Sequence, residues 1–307
     1  MSGYLTRRFV QSIIVIIGIS IVVFVISRLS GDPVNLMVSM DTPEKYRVIL
    51  RKELGLDKPI PIQYLIFLRG ALKGDFGESI RYGEPALRLV LQRLPATLRL
   101  LLFTLFWSLI FAIPIGIFSA IKRNSFFDLI GMACTFLGQS IPSFWAGIML
   151  IMIVGVYLRL LPISGYGNGD FAHLVLPAFT LGTLEMASFA RITRSSMLDV
   201  LNMDYVQTAR SKGLSEFVVI TKHALRNALI PIVTMLGLHV AYMMGGAVIT
   251  EQIFAYPGVG WLAVQSIYNR DFPIIQAIVM VVSIGIVVTN FVIDIVYTLI
   301  DPRIRYD

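Results

Sequence analysis

Five long stretches of this chain contain no Asp, Glu, Lys or Arg, and nothing else in the sequence restricts the backbone as much. They are Phe9 to Ser27, Leu100 to Ile121, Leu129 to Leu158, Asn227 to Thr250 and Phe272 to Ile293. A hydrocarbon core of about 30 Å takes about 20 apolar residues at about 1.5 Å each, and it offers backbone N–H and C=O groups no water, so these runs predict helices that cross a bilayer. Of 307 residues, 56% are apolar and only 15% charged, against roughly 25% charged in soluble domains. A soluble globular enzyme, a disordered tail protein and a disulfide scaffold are thereby excluded. The one cysteine, Cys134, cannot form an internal disulfide.

The first stretch follows Arg7 and Arg8, as a secretory signal would. Its apolar run exceeds the roughly 7–15 residues of a signal core and no A-x-A site follows, so it reads as a retained span. A sixth span, Phe171 to Ala190, contains His173 and Glu185 and is decided by charge. With it, Arg191, Arg194, Arg210, Lys212, Lys222 and Arg226 fall on the side of Arg7, Arg8, Lys122, Arg123, Arg303 and Arg305; the positive-inside bias makes that side cytoplasmic. The net charge of +7 is then a matter of membrane orientation, and nucleic-acid binding is not required to explain it. This predicts an all-α membrane protein with six spans: an N-terminus at 1–8, a first span at 9–27, an outer helical segment at 28–97, a five-helix membrane domain at 98–300 and an inner tail at 301–307.

Thirty residues from Leu129 to Leu158 would reach about 45 Å as one straight helix, and Pro142 offers a break. Leu129 to Gly138 is expected at the inner interface or against a neighbouring helix, with Gln139, Ser140 and Ser143 on protein or water. In the outer segment, Thr42 and Pro43 form a helix start and Gly55 a helix end, Ile60 to Lys73 is a helix stopped by Gly74, and Pro85 opens another whose apolar face is Leu87, Val90, Leu91 and Leu94. Eleven basic and eight acidic residues between Arg28 and Pro95 nearly balance, and fewer than about 70 residues rarely hold their own core; the segment is expected to pack on the outer ends of the spans or on a partner, as a binding or gating cover or as a passive cap.

The inner loop, 195–230, reads as a helix from Met197 to Lys212, a stop at Gly213, and a second helix capped by Ser215 that runs from Glu216 to Leu229 into the next span. A DNA-binding helix-turn-helix has the same outline, but a loop tethered at both ends to a bilayer does not reach a major groove easily. A cationic stretch resting on anionic lipid is the plainer alternative.

The run Asp204-Tyr205-Val206-Gln207-Thr208-Ala209-Arg210-Ser211-Lys212-Gly213, followed by His223-Ala224-Leu225-Arg226-Asn227-Ala228, resembles the EAA loop of permease subunits of binding-protein-dependent ABC importers, and more narrowly their peptide/nickel group. Eight further segments match in order: Gly31-Asp32-Pro33, Leu54 to Asp57, Gly74-Asp75-Phe76-Gly77, Leu94-Pro95-Ala96-Thr97, Thr193 to Met197, Glu251 to Gly260, Arg270-Asp271-Phe272-Pro273 and Asp301 to Arg305. Gln207-Thr208-Ala209 stands where the broad pattern has Glu-Ala-Ala, and His223 to Arg226 where it has I-x-L-P; both departures are usual in the peptide/nickel group. The resemblance implies a second, similar permease, two cytoplasmic ATPases that bind ATP and Mg, an external binding protein, and a bacterial or archaeal plasma membrane. It makes the inner loop a coupling helix, with Asp204, Tyr205, Thr208, Ala209, Arg210, Gly213, His223 and Leu225 at the ATPase contact and Ala209 on the docking face. The chain itself has no G-x-x-x-x-G-K-[ST] phosphate loop, no nucleophile paired with a base and no metal-ligand spacing, so no cofactor or metal of its own is expected.

Within the spans, Gln139, Ser140, Pro142, Gly245 and Glu251 are candidates for the translocation path. Ionisable groups at depth are costly and each needs a partner: Asp294 could pair with Arg303 or Arg305, Glu185 with Arg191 or a partner helix, and Glu251 could cap loop amides or meet a substrate ammonium. His239 reads as a helix-contact group, and Gly245-Gly246 as a site of close helix approach. Di- or oligopeptides are the expected cargo, with nickel complexes or glutathione as rivals. A stand-alone ion-coupled carrier would need an inverted repeat and midplane charged pairs, and a membrane-embedded enzyme a convergent catalytic set; the sequence displays neither.

Overall fold

A computed structural model describes residues 2–29, 34, 38, 42–53 and 55–300. Gly31-Asp32-Pro33, Leu54, Asp301 to Arg305 and the partners proposed for Asp294 lie outside the described residues. Apart from an isolated bridge between Glu78 and Pro85, regular structure in the described residues is helical. The helices are α1 (Ser2–Leu29), α2 (Glu44–Glu53), α3 (Ile60–Leu72), α4 (Ala86–Ile121), α5 (Phe126–Ser140), α6 (Ser143–Leu150, prolonged by a π-helical stretch Ile151–Tyr157), α7 (Ala172–Leu201), α8 (Asp204–Ser211), the single turn α9 (Glu216–Val218), α10 (Leu225–Ile253), α11 (Val259–Tyr268) and α12 (Phe272–Ile300).

Four helical stretches are long and apolar enough to cross a membrane: Thr6–Leu29, Ala86–Ile121, Glu216–Ile253 and Phe272–Ile295. The pair α5 and α6 is together long and apolar enough for a fifth, as a broken span or a re-entrant loop, and is bent by 101° at Ile141-Pro142. The residue before proline is pushed into extended backbone, and Ile141 has φ −85° and ψ 122°, so the chain breaks where Pro142 predicts. The bend is too sharp for Leu129 to Leu158 to be one rod. The expected sixth span, α7, has 30 residues but is too polar to pass as a lipid-facing helix; instead it buries Leu174, Leu176, Ala178, Leu181, Glu185, Phe189 and Met197 within the protein.

The chain divides into two compact units. In the unit formed by Met1–Pro95 and Gly258–Val288, Ala86 and Val90 of α4 pack with Val259 and Leu262 of α11 and Ile274, Ala277 and Ile278 of α12. Phe24 of α1 meets Tyr64 and Phe67 of α3, ring centroids 5.5 and 5.8 Å apart, and the Ser20 and Tyr64 hydroxyls are hydrogen-bonded at 2.9 Å. Gly55 and Gly74 end their helices at φ +64° and +77°, as expected of C-cap positions. The face expected on Leu87, Val90, Leu91 and Leu94 is rotated: Ala86, Val90, Leu89 and Leu94 point inward, and Leu91 is exposed. That face is set by packing on α11 and α12, and α4 does not stop near Leu94. It continues through Pro95 and Pro114 to Ile121, so the boundary expected at residue 97 falls inside one helix.

In the unit formed by Ala96–Pro257 and Thr289–Asp307, Leu100 and Trp107 of α4 pack with Leu174, Leu176, Ala178 and Leu181 of α7, Met243 and Ala247 of α10, and Phe254 and Tyr256 beyond it. Gly182 makes this approach possible: a Cβ there would lie 2.5 Å from the Trp107 ring. A second cluster, Ala112, Phe189, Ala190 and Ile232, continues along α4, α7 and α10.

Candidate coupling loop and buried polar groups

The helix expected from Met197 to Lys212 is two. α7 ends at Leu201, where the Asn202 side chain turns back to donate to the Leu198 carbonyl at 2.8 Å. Met203 is extended, and α8 starts afresh at Asp204, an acidic residue in the first turn where the helix dipole favours it. α8 ends at Ser211 and is capped by Lys212, whose N–H donates to the Thr208 carbonyl at 3.1 Å, while the Gly213 N–H donates to the Arg210 carbonyl at 2.9 Å. Gly213 has φ +77° and nothing within 4 Å of a Cβ built on it, so glycine is favoured there by backbone conformation and not by space. Ser215 stands at the start of α9 with ψ 145°, but its side chain makes no capping bond. The next helix runs through a π-helical stretch, Val219–Ala224, into α10.

The loop is a folded object with its own apolar base. Val206 and Ala209 of α8 are buried with Val219, Ala224 and Ala228, against Met197 and Val200 of α7 and Ala120 of α4. Ala209 therefore faces this base, which corrects the expectation that it lies on the docking face: an alanine is chosen there because the two arms meet. The outer face of α8 is made by Tyr205, Gln207, Thr208, Arg210, Ser211 and Lys212, all exposed. Arg210 pairs with Glu216 across the turn at 2.8 Å, and Asn227 donates to the Tyr205 hydroxyl at 2.7 Å, so both arms are tied at the surface too. Asp204 is exposed, and His223 and Leu225 are half-buried.

Several polar pairs that the sequence did not disclose hold α5 and α10 to α7. Arg194 forks onto Asp128, with both N···O distances at 2.7 Å. Asp128 also accepts the Asn124 N–H at 3.0 Å, and its own N–H is capped by Ser125. The S-x-x-D spacing of Ser125 and Asp128 is a capping signature that could have revealed this end. At the far end of α5, Gln139 donates to the Ser188 hydroxyl at 3.0 Å and accepts from Arg191. Glu185 does not pair with Arg191; it is hydrogen-bonded to His239 of α10, both buried. The His239 ring lies 4.5 Å from that of Phe189, which gives His239 the helix-contact role expected of it.

The path candidates are scattered. Gln139 is engaged with α7 as above, Ser140 is exposed and bonds the Phe136 carbonyl at 2.9 Å, and Pro142 stands at the break. Gly245 has nothing within 4 Å, whereas a Cβ on Gly246 would lie 2.9 Å from Leu181; close approach belongs to Gly246 alone. Glu251 is fully buried and accepts the Thr97 hydroxyl at 2.7 Å. Its carboxylate is thus held within this chain between α4 and α10. Nearby, Tyr256 packs edge-on to Tyr166 with centroids 5.2 Å apart, and burial pushes its phenol up to about 12.

In the segment before α4, Ser79 and Arg81 meet Asp271, which is buried and accepts the Ser79 hydroxyl at 2.5 Å and the Arg81 N–H at 3.2 Å. The sequence segments around Gly74 and Arg270, 190 residues or more apart, thus meet through a carboxylate. Asp170 receives the His173 N–H at 2.9 Å and touches its ring Nδ1 at 2.6 Å; these bonds from His173 hold the Asp170 carboxyl below its ordinary range.

Comparison with known proteins bears on this arrangement. Residues 112–306 match the family model of the binding-protein-dependent transport system inner membrane component, and residues 1–101 match that of its N-terminal region. The chain is 43% identical over 316 residues to an oligopeptide transport system permease protein of Bacillus subtilis, all of both chains being covered. It is 38% identical over 307 residues to a glutathione transport system permease protein of Salmonella choleraesuis, again over all of both. It is 38% identical over 338 residues to a dipeptide transport system permease protein of Escherichia coli, covering 100% of this chain and 99% of the other. Among solved structures, an inward-facing methionine ABC transporter matches with a TM-score of 0.59 at 17% identity, over 69% of this chain and 96% of that one; at that identity the likeness concerns the fold.

Proposed function

This chain belongs to the family of binding-protein-dependent transport system inner membrane components, and we propose that it forms, with a second similar permease, the membrane path of an ATP-driven importer of di- or oligopeptides. Full-length similarity to permeases of oligopeptide, dipeptide and glutathione transport systems supports a short peptide as cargo. Membership of a binding-protein-dependent family argues against the stand-alone ion-coupled carrier, and nothing in the similarity favours a nickel complex. ATP and Mg are bound by two cytoplasmic ATPases, an external binding protein delivers the peptide, and this chain hydrolyses nothing. It crosses the membrane six times with both ends inside, α7 being the sixth span, shielded from lipid by its neighbours.

The observation that carries the coupling role is the build of the inner loop: α8 and the following helix are locked to each other by Val206, Ala209, Val219 and Ala224. A body so tied, entering α10 without a break, can pass a push from an ATPase into a span. His223 and Leu225 belong to its base, and Asp204, Tyr205, Thr208 and Arg210 to its free face. The test is Thr208→Glu, which adds bulk and charge to that face and leaves the base alone. In the reconstituted complex, ATP hydrolysis should no longer rise with peptide-loaded binding protein, and the ATPases should pull down less well. Normal stimulation would remove the coupling role. For orientation, single cysteines at Lys73 or Asn168 in a Cys134→Ser background should react with an impermeant thiol reagent from outside sealed cells, and one at Lys212 should not; labelling at Lys212 would overturn the six-span arrangement.

A further inference from the structure

A cavity of about 490 Å³ opens beside α1 and the start of α12, lined by Val23, Ile26, Ile275, Val279, Phe272 and, at its rim, Arg270. Its size lies within the roughly 300–1,000 Å³ of small-molecule sites. We propose that it holds a glycerophospholipid with an anionic headgroup, the phosphate on Arg270 and an acyl chain along α1 and α12.

Three observations converge on that occupant. The walls come from the last two turns of α1 and the first two of α12, both helices that are long and apolar enough to span a bilayer, so hydrocarbon is the medium that reaches them. The polar groups of the floor are already used: Gln276 donates to the Ser27 hydroxyl at 2.7 Å, and Ser27 donates to the Phe24 carbonyl at 2.8 Å. Nothing there calls for water, and an apolar void of this kind stays dry or takes an apolar guest. At the rim the demand is opposite. Arg270 is exposed and makes no ion pair among the described residues. Its backbone is fixed between α11 and α12 at φ +54°, with its N–H on the Ile267 carbonyl at 3.1 Å. A lone guanidinium at the mouth of an apolar slot, at the end of two spans, complements a phosphate above an acyl chain. A peptide would leave its backbone groups unpaired against these walls.

The experiment uses the whole importer complex, assembled in bilayers of equal parts phosphatidylglycerol and phosphatidylcholine and released into native mass spectrometry. Wild type should retain phosphatidylglycerol in preference. Arg270→Gln should lower that preference about fivefold, the effect of one cation near an anionic lipid surface, and leave the total lipid retained nearly unchanged. Val279→Trp, which fills the slot, should lower the total. Co-elution of all subunits on gel filtration establishes that each variant has assembled. A photoreactive acyl chain should cross-link to peptides of α1 and α12 around Val23 and Val279. Equal phosphatidylglycerol retention in wild type and Arg270→Gln, or undiminished lipid in Val279→Trp, would overturn the proposal. So would cross-linking of a Val23→Cys variant to the second permease in place of the lipid, which would make the groove a subunit contact.

Discussion

The inner loop and the outer turn around Ser79 solve the same problem, holding a non-membrane segment in one shape, by opposite means. In the loop the apolar residues Val206, Ala209, Val219 and Ala224 are buried, and the charged pair Arg210–Glu216 lies on the surface. In the outer turn the polar pair is what is buried, with the Asp271 carboxylate taking the Ser79 hydroxyl and the Arg81 N–H. An exposed ion pair contributes about 0–1 kcal/mol, whereas removing one partner of a buried hydrogen bond costs about 1–3 kcal/mol. The loop should therefore be sensitive to bulk and backbone conformation and tolerant of surface charge changes. The outer turn should be sensitive to the loss of a single polar atom.

The largest expected effect is that of Ala209→Glu. A carboxylate forced into the base of the loop, where Ala209 is 5% exposed, is an unpaired buried charge, costing about 3–5 kcal/mol locally. Limited proteolysis of the assembled complex should show new cleavage between residues 203 and 215, and uptake should fail. Thr208→Glu, one residue away on the exposed face, should leave the loop as resistant as wild type. Equal resistance in both would mean that α8 is not seated as described.

Asp271→Ala is expected to come next, at about 1–3 kcal/mol, because it strands the Ser79 hydroxyl and the Arg81 N–H. The melting temperature of the detergent-solubilised complex should fall, less so for Asp271→Asn, which keeps an acceptor. Ser79→Ala combined with Asp271→Ala should cost less than the two singles added together. Strict additivity would sever the link between the two segments.

Much of this was readable in advance, and what was missed has a common cause. Uncharged apolar runs located the four helices long and apolar enough to cross a membrane, and glycines at Gly55, Gly74 and Gly213 marked helix ends because a positive φ is a local demand. The break at Pro142 is local too. Pairings across the fold are not: nothing in the neighbourhood of Glu185 distinguishes His239, 54 residues away, from the nearer Arg191. Helix ends without a glycine or proline were missed as well: α7 ends at Leu201 with Asn202 as its cap, inside the stretch from Met197 to Lys212 expected as one helix. The inward turn of Ala209 follows from how two arms meet, and a motif match carries no such information.

Gly213→Val tests backbone conformation alone, since a Cβ there meets nothing within 4 Å. The left-handed backbone would cost a branched residue about 1–2 kcal/mol; Gly213→Asn, which tolerates that region, should cost less. Expression and pairing with the second permease should be normal for both, and stimulated ATP hydrolysis should fall in the order Asn, then Val. Ser211→Ala removes only an exposed hydroxyl that bonds the Gln207 carbonyl and should be near neutral. An equal loss for Asn and Val would point to side-chain volume at the docking face and away from backbone strain.

The smallest effect concerns a segment that follows neither rule, the exposed turn at Asp170. Its carboxyl is held below the ordinary range first by the His173 N–H and then by the His173 side chain, and both partners lie at the surface. A depressed carboxylate stabilises the fold above its unfolded pKa of about 3.9, and that contribution disappears as pH falls through the lower, folded value. Between pH 8 and 5 the Asp170 carboxyl itself adds no pH dependence, since it is ionised both folded and unfolded. Below about pH 4, hydrogen exchange at residues 171–175, corrected for the intrinsic pH dependence of exchange, should rise as the start of α7 loses its cap. Asp170→Asn should remove the acid dependence, because an amide accepts the same N–H at every pH, while exchange in the inner loop stays flat in both proteins. If acid loosened the Asn variant equally, the cap would owe nothing to the charge on Asp170, and the turn would belong with the inner loop, held by backbone and packing.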